Sequence, residues 1–331
     1  MEIDDTSSPS PQRFHARLAR LDYGILWRYA IWAALIVLVV VMVVISPSFR
    51  TTSNVANILQ QSAMLGIVSC GMLVMMITGG FDLSVGAVGA TASVTTAYFS
   101  LHTALPVAIA AGLAAGLVVG LINGAIIAKG RINAFMTTFA MASIVTGVLF
   151  VATSAAPVNS KAGWLTTLAF GQIANIPYAF IFYLLFAGAT WLLLSQTKWG
   201  HYLYSVGGNR EASFLSGVPV VSTQVMAFVF GGFAAAVGGL ILLGQSAIGQ
   251  PSAASEWPLS AIAICVIGGA SLSGGEGRVH GTIAATLLLE VIANGLNLLN
   301  VSPYVQPAVT GVVILLAVGA DRVAKSRESN V

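Results

Sequence analysis

The sequence predicts an all-α polytopic membrane protein with about ten transmembrane helices. Of its 331 residues, 57% are hydrophobic and only 8% are charged, whereas soluble domains carry about 25% charged residues. The apolar residues form continuous runs without the alternation of a barrel strand, so each crossing is predicted to be a helix. This composition excludes a cytosolic enzyme, a disordered scaffold and a nucleic-acid-binding domain.

Ten apolar runs approach the roughly 20 residues that a helix needs to cross a bilayer. The eighth run is the shortest, and it ends in Gly268-Gly269. We therefore expect ten spans, with an uncertainty of about two. In chain order, the runs cover residues 29–45, 56–78, 83–99, 104–127, 134–153, 177–194, 221–244, 258–270, 279–299 and 303–320.

The basic residues predict the orientation of these spans. If the N-terminus is cytoplasmic and the ten spans alternate, only Arg50 and Lys161 of the 14 Lys and Arg residues lie outside. This bias is typical of the positive-inside rule. Both termini are therefore predicted to be cytoplasmic. Residues 1–28 and 322–331 form the two tails, and residues 29–321 form a single transmembrane domain.

One sequence pattern occurs twice. The pattern G-G-x-x-L-S-x-G is found at residues 79–86 and again at 268–275, in both cases at a predicted cytoplasmic junction between helices. Because transporters often contain repeats with broken helices at corresponding positions, the pattern predicts an internal repeat. The alternative is coincidence in a chain that contains 35 glycines.

The sequence lacks the residue sets that catalysis or metal binding requires. Its four histidines fall in the tail or in loops, and Cys70 and Cys265 each lie alone in an apolar run. A G-x-x-x-x-G pattern that ends at Gly274 is followed by Gly275 in place of the phosphate-binding Lys of a nucleotide loop. We therefore expect no catalytic residue, metal or cofactor in this chain. If ATP drives its activity, the ATP binds to a partner subunit.

Two acids interrupt apolar runs, and each allows two interpretations. Asp82 and Ser84 open the third run, which favours Asp82 as the cap of a helix over the alternative of a substrate ligand. Glu290 shares one helical face with Asn294 and Asn297. That polar stripe either lines a translocation path or holds neighbouring helices together by hydrogen bonds.

The cytoplasmic segment 195–220 predicts a docking element. Asn209 is placed to cap a short helix that Gly217 closes. Phe214 and Leu215 are apolar, yet the segment has no core in which to bury them, so a cytoplasmic partner is expected to contact this helix. The alternative is a helix that lies on the lipid surface. The candidate docking residues are Asn209, Arg210, Glu211, Ala212, Phe214, Leu215 and Gly217.

Four motifs in this chain resemble those of the membrane subunits of bacterial ABC importers of the ribose/xylose/galactose type. The docking segment is similar to their coupling helix, E-A-A-x-x-x-G, with Ser213 in place of the second Ala. The other motifs are G-G-x-D-L-S-V-G at 79–86, N-G-x-x-x-A-K-G-R at 123–131 and A-I-A-x-x-V-I-G-G-x-S-L-x-G-G-x-G at 261–277. The resemblance covers about residues 50–320, and the four motifs occur within it in the same order.

The resemblance implies a multi-pass permease of the bacterial cytoplasmic membrane. Such subunits pair with a second permease, either identical or related, and dock on cytoplasmic ATP-binding subunits through the coupling helix. They receive a monosaccharide or similar polyol from a periplasmic binding protein and move it by alternating access. Membrane lipid is then a further partner, and nucleic acid is not. The alternative is a self-contained secondary transporter that couples protons through Asp82 or Glu290.

Overall fold

The computed structural model describes residues 30–161 and 163–302, together with scattered positions between 305 and 319. Over this part the chain is mostly helical, and its long apolar helices are consistent with the predicted all-α polytopic membrane protein. The helices are α1 (Ala30–Ile45), α2 (Thr52–Ile77), α3 (Val85–Ser100), α4 (Leu105–Gly130), α5 (Ala134–Thr153), α6 (Trp164–Phe170), α7 (Tyr178–Gln196), α8 (Lys198–Gly208), α9 (Arg210–Leu215), α10 (Val220–Ser246), α11 (Trp257–Ile267) and α12 (Val279–Leu298). The two-residue strands are β1 (Val158–Asn159), β2 (Gln172–Ile173), β3 (Ile176–Pro177) and β4 (Ile248–Gly249), and a 3-10 turn covers Pro47–Arg50.

The first nine predicted runs each correspond to one of these helices, with ends that differ by a few residues. Within the described residues, α2, α4, α5, α7, α10 and α12 are long and apolar enough to cross a membrane, while α1 and α11 are shorter apolar helices. The tenth run, 303–320, and the tails 1–28 and 322–331 fall largely or wholly outside the described residues. The count of ten spans and the location of the termini therefore stay predictions.

The connections between helices collect at two opposite ends of the bundle. At one end, the Gly275 amide donates to the Ile77 carbonyl at 2.9 Å. At the other end, β1 pairs antiparallel with β4, and the Lys161 amide donates to Ser100 Oγ at 2.9 Å. The first set contains connections predicted to be cytoplasmic and the second contains connections predicted to be external. We call these the inner end and the outer end.

Glycines allow α4 to pack closely against α10. Four glycines recur at every fourth position of α4, from Gly112 to Gly124. A Cβ atom added at Gly116 would lie 2.6 Å from the carbonyl oxygen of Gly232, and one at Gly120 would lie 2.5 Å from that of Phe228. Because lipid tails are as apolar as leucine, helices in a membrane associate through such close van der Waals contact.

The close approach of these helices predicts the effect of a larger side chain. We expect Gly116→Leu to force α4 away from α10 and to cost about 1–3 kcal/mol of stability, as overpacking does. Gly188→Leu is the matched control, since a Cβ atom there meets nothing within 4 Å. The midpoint of thermal unfolding of each variant in detergent, monitored by size-exclusion chromatography, measures the difference. Equal midpoints would contradict the assigned contact.

Candidate functional site

Helices α8 and α9 form the inner-end segment that the sequence singles out. The Tyr204 hydroxyl donates to the Gly277 carbonyl at 2.9 Å, which fixes α8 against the loop before α12. Asn209 caps both helices. Its amide donates to the Ser205 carbonyl at the end of α8, and its Oδ1 accepts from the Ala212 amide at 2.9 Å at the start of α9. The two helices therefore share one capping residue.

The end of α9 is closed by a left-handed glycine. Gly217 has φ of +80°, a conformation that L side chains rarely adopt. Its amide donates to the Phe214 carbonyl at 3.0 Å, and the Val218 amide donates to the Ser213 carbonyl at 3.0 Å. These two bonds form a Schellman motif, which satisfies carbonyls that the short helix leaves unpaired. Helix α9 is therefore fixed at both of its ends.

One face of α9 is bare. Phe214 is 71% exposed and Leu215 is 79% exposed, and the Glu211 side chain is exposed beside them. Ser213 lies on the buried side of α9 and is 5% exposed, and the Arg210 guanidinium attaches the start of the helix to the bundle by donating to the Ala128 carbonyl at 3.3 Å. A rigid helix that presents large apolar side chains together with a carboxylate has the features of a protein-interaction site.

The two copies of the repeated pattern, 79–86 and 268–275, both contain a helix-ending turn. Gly79 has φ of +81° and Gly269 has φ of +89°. After each of these glycines, the next amide donates to the carbonyl five residues before it, at 3.2 Å and 2.8 Å respectively. The left-handed glycine is the first of the pair in one copy and the second in the other. The turns therefore correspond with an offset of one residue, and the wider internal repeat stays a prediction.

The end of α2 and residues 274–275 of the second copy contact the end of α8. Besides the bond from Gly275 to Ile77, a Cβ atom on Gly274 would lie 2.8 Å from Gly79 Cα. A Cβ atom on Gly207 would lie 2.5 Å from the Gly275 nitrogen. Three backbone segments thus meet at distances that only glycines permit, and we call this contact the glycine junction. It connects α8, and through it α9, to the turns that precede α3 and α12.

Asp82 lies in a buried polar cluster beside the first of these turns. The Asp82 carboxylate is 1% exposed, and its Oδ1 accepts from the Ser84 amide at 2.6 Å and from the Ser84 hydroxyl at 2.5 Å. Its Oδ2 accepts from Asn123 Nδ2 at 3.2 Å. Asp82 therefore satisfies the residue just before α3 and joins this helix start to α4. Asn123 appears in the sequence motif at 123–131, but its partner could not be identified from sequence.

The polar stripe on α12 (Glu290, Asn294 and Asn297) lies away from the Asp82 cluster. Asn294 exchanges two hydrogen bonds with Asn54 of α2, at 3.0 Å and 2.8 Å, near the outer end. Glu290 lies one turn deeper, is partly exposed and has no hydrogen-bond partner among the described residues. Asn297 lies one turn further out and is exposed. In this stripe, Asn294 therefore joins α12 to α2, whereas the Glu290 carboxylate makes no such contact among the described residues.

These contacts predict that Glu290 and Asn294 have separable effects. We expect Asn294→Ala to remove both hydrogen bonds between α12 and Asn54, whose side chain keeps only its bond to the Phe49 carbonyl at 3.4 Å, and to cost about 1–2 kcal/mol of stability. Glu290→Gln removes a charge that no described residue compensates, so we expect no loss of stability but slower transport. Thermal unfolding in detergent and uptake in proteoliposomes measure the two effects. Unchanged transport and unchanged substrate preference in Glu290→Gln would exclude Glu290 from the path.

Residues 54–318 match the protein family described as "Branched-chain amino acid transport system / permease component". This match covers most of the chain and includes α9, Asp82 and Glu290. The chain belongs to this permease family. The permease is thus a transport subunit that acts within the cytoplasmic membrane, and in such importers separate subunits hydrolyse ATP.

Individual relatives agree with this assignment. The permease is 39% identical over 294 residues to the ribose import permease protein RbsC of Escherichia coli (strain K12), covering 87% of this chain and 91% of that protein. It is 37% identical over 321 residues to the L-arabinose transport system permease protein AraH of the same strain, covering 96% and 97%. RbsC of Bacillus subtilis (strain 168) is 37% identical over 305 residues, covering 90% and 94%. No solved structure matches the permease.

Proposed function

We propose that this chain is the membrane subunit of an ABC importer that moves a monosaccharide or similar small polyol into the cell. Two relatives that cover most of the chain are named for ribose and L-arabinose, which supports a sugar over the branched-chain amino acids in the family description. The polar side chains Asn294 and Glu290 of α12 can form hydrogen bonds with hydroxyl groups, which suits a sugar or polyol. In this proposal both termini are cytoplasmic and ten helices cross the membrane.

The observation that carries the mechanism is the bare face of α9. The helix is capped at both ends, attached through Arg210, and exposes Phe214 and Leu215. ATP-binding subunits that close on this face would push α9 as a rigid body. Because α8 ends in the glycine junction, such a push reaches the turns that precede α3 and α12. Alternating access would follow from the movement of those helices.

A charge reversal on α9 tests the docking of ATP-binding subunits. We expect Glu211→Arg to weaken the complex by about thirtyfold, the effect of losing one interface hot spot. Lys198→Glu is the matched control, because Lys198 is an exposed residue of the same inner-end segment but lies at the far end of α8. Co-purification from the native membrane in mild detergent, with the ATP-binding subunit quantified, measures the loss.

The alternative, a proton-coupled secondary transporter, predicts a different outcome of purification and of transport assays. A proton-coupled secondary transporter would be purified alone, would move solute in vesicles without ATP, and would stop when a protonophore is added. Transport that depends on ATP and persists with a protonophore would exclude it. The substrate itself is then identified from the ligand of the binding protein that accompanies the complex.

The outer end predicts how a periplasmic binding protein docks. The outer segments 154–176 and 245–257 carry only Lys161 and Glu256 as charged residues, so electrostatic attraction contributes little to their contacts. We expect the affinity of the binding protein for the reconstituted permease to change by less than about threefold between low and high salt, because screening acts on charges. A steep loss of affinity with salt, measured by surface plasmon resonance, would contradict this.

A further inference from the structure

A groove at the inner end is unused by the proposed mechanism. It has a volume of about 530 Å³ and lies between the end of α4 and the start of α10, with α9 beside it. Lys129 of α4 and Phe214 of α9 form two of its walls, and α10 contributes an apolar strip that includes Val221, Val225 and Met226. The groove is therefore apolar along its length and carries one cation at its edge.

The apolar strip is exposed at the inner end of α10, where this helix is expected to enter the membrane. Met226 is 51% exposed and Val221 is 40% exposed, and they lie in the first two turns of α10 at its inner end. Large apolar side chains at this depth are stable against the first methylene groups of a lipid acyl chain, because such contact removes them from water. The strip points to an occupant with a hydrocarbon portion.

The cations beside the groove point to an occupant with a negative charge. Lys129 and Arg131 are exposed at the end of α4, and neither has an ion-pair partner among the described residues. The Arg210 guanidinium lies at the same helix end, on the Ala128 carbonyl. Within residues 123–131 and 209–226 the sequence contains one acid, Glu211. This part of the surface therefore carries an excess of positive charge next to an apolar groove.

We propose that this groove binds an anionic phospholipid of the inner leaflet, with its phosphate at Lys129 and Arg131 and an acyl chain along the α10 strip. Basic pockets between transmembrane helices on the cytoplasmic side recognise acidic headgroups in this way. A zwitterionic lipid offers the same acyl chain without the net charge. Since Phe214 belongs both to the groove and to the bare face of α9, the lipid contacts the element that meets the ATP-binding subunits.

Native mass spectrometry of the detergent-purified protein, with whatever subunits accompany it, tests this site. Phosphatidylglycerol or phosphatidylcholine is titrated in, and the bound lipid is counted for each. We expect Lys129→Gln combined with Arg131→Gln to lower phosphatidylglycerol occupancy by about ten- to thirtyfold, since each basic residue near an anionic headgroup adds roughly a fivefold preference. Phosphatidylcholine occupancy should not change.

Two further variants keep the test specific. Lys198→Gln removes a cation from the same end of the protein but away from the groove, and it should retain phosphatidylglycerol. Ser222→Trp fills the groove, whose wall includes the exposed Ser222, and it should lower the occupancy of both lipids.

Unchanged phosphatidylglycerol occupancy in the double variant would overturn the proposal. So would retention of the lipid with loss of an accompanying subunit, which would assign the surface to that subunit. The assay uses neither ATP nor sugar, so its result is independent of whether Glu211→Arg releases an ATP-binding subunit.

Discussion

The constraint on which this structure depends is the absence of water in the bilayer. Backbone amides and carbonyls at that depth must be satisfied within the protein, so every helix end near the membrane interior needs a specific partner. The turns after α2 and α11 meet this need with left-handed glycines at residues 79 and 269. The start of α3 meets it with a buried carboxylate, Asp82, and an amide from α4. The inner end of the bundle is organised around these two turns and the hydrogen bonds of Asp82.

The same constraint explains why glycine, rather than large apolar side chains, sets the packing. In water, burial of apolar surface brings helices together, but lipid removes that driving force. Backbones must then approach closely, as α4 and α10 do along their shared glycines. The glycine junction repeats this solution between loops instead of helices. A membrane protein with 35 glycines therefore uses them for contact as well as for turns.

The helices and the local features could be predicted from the sequence, because they depend on residues close together in the chain. Apolar run length predicted nine of the helices within a few residues, and the spacing of Asn209 and Gly217 predicted the short helix α9 between them. The eighth run was predicted to extend to residue 270, but α11 ends at residue 267 because Gly269 turns the chain.

The long-range contacts could not be predicted in this way. Asn54 and Asn294 are 240 residues apart, and each alone is simply a polar residue in an apolar helix. The repeated pattern indicated that residues 79–86 and 268–275 were special, yet nothing in either copy indicated that they touch each other and the end of α8. Another of the six Gly-Gly pairs in the chain, at residues 207 and 208, was the signal available for that contact. Its meaning depends on three-dimensional proximity, which one sequence does not specify.

The sharing of Asn209 between α8 and α9 has a mechanical consequence. No flexible residue separates the two helices, since the backbone of Asn209 ends one and its side chain begins the other. In the proposed mechanism, a load applied to α9 would therefore be transmitted to α8 instead of being absorbed by a linker. The two helices would then rotate together about the glycine junction, next to the turns that precede α3 and α12.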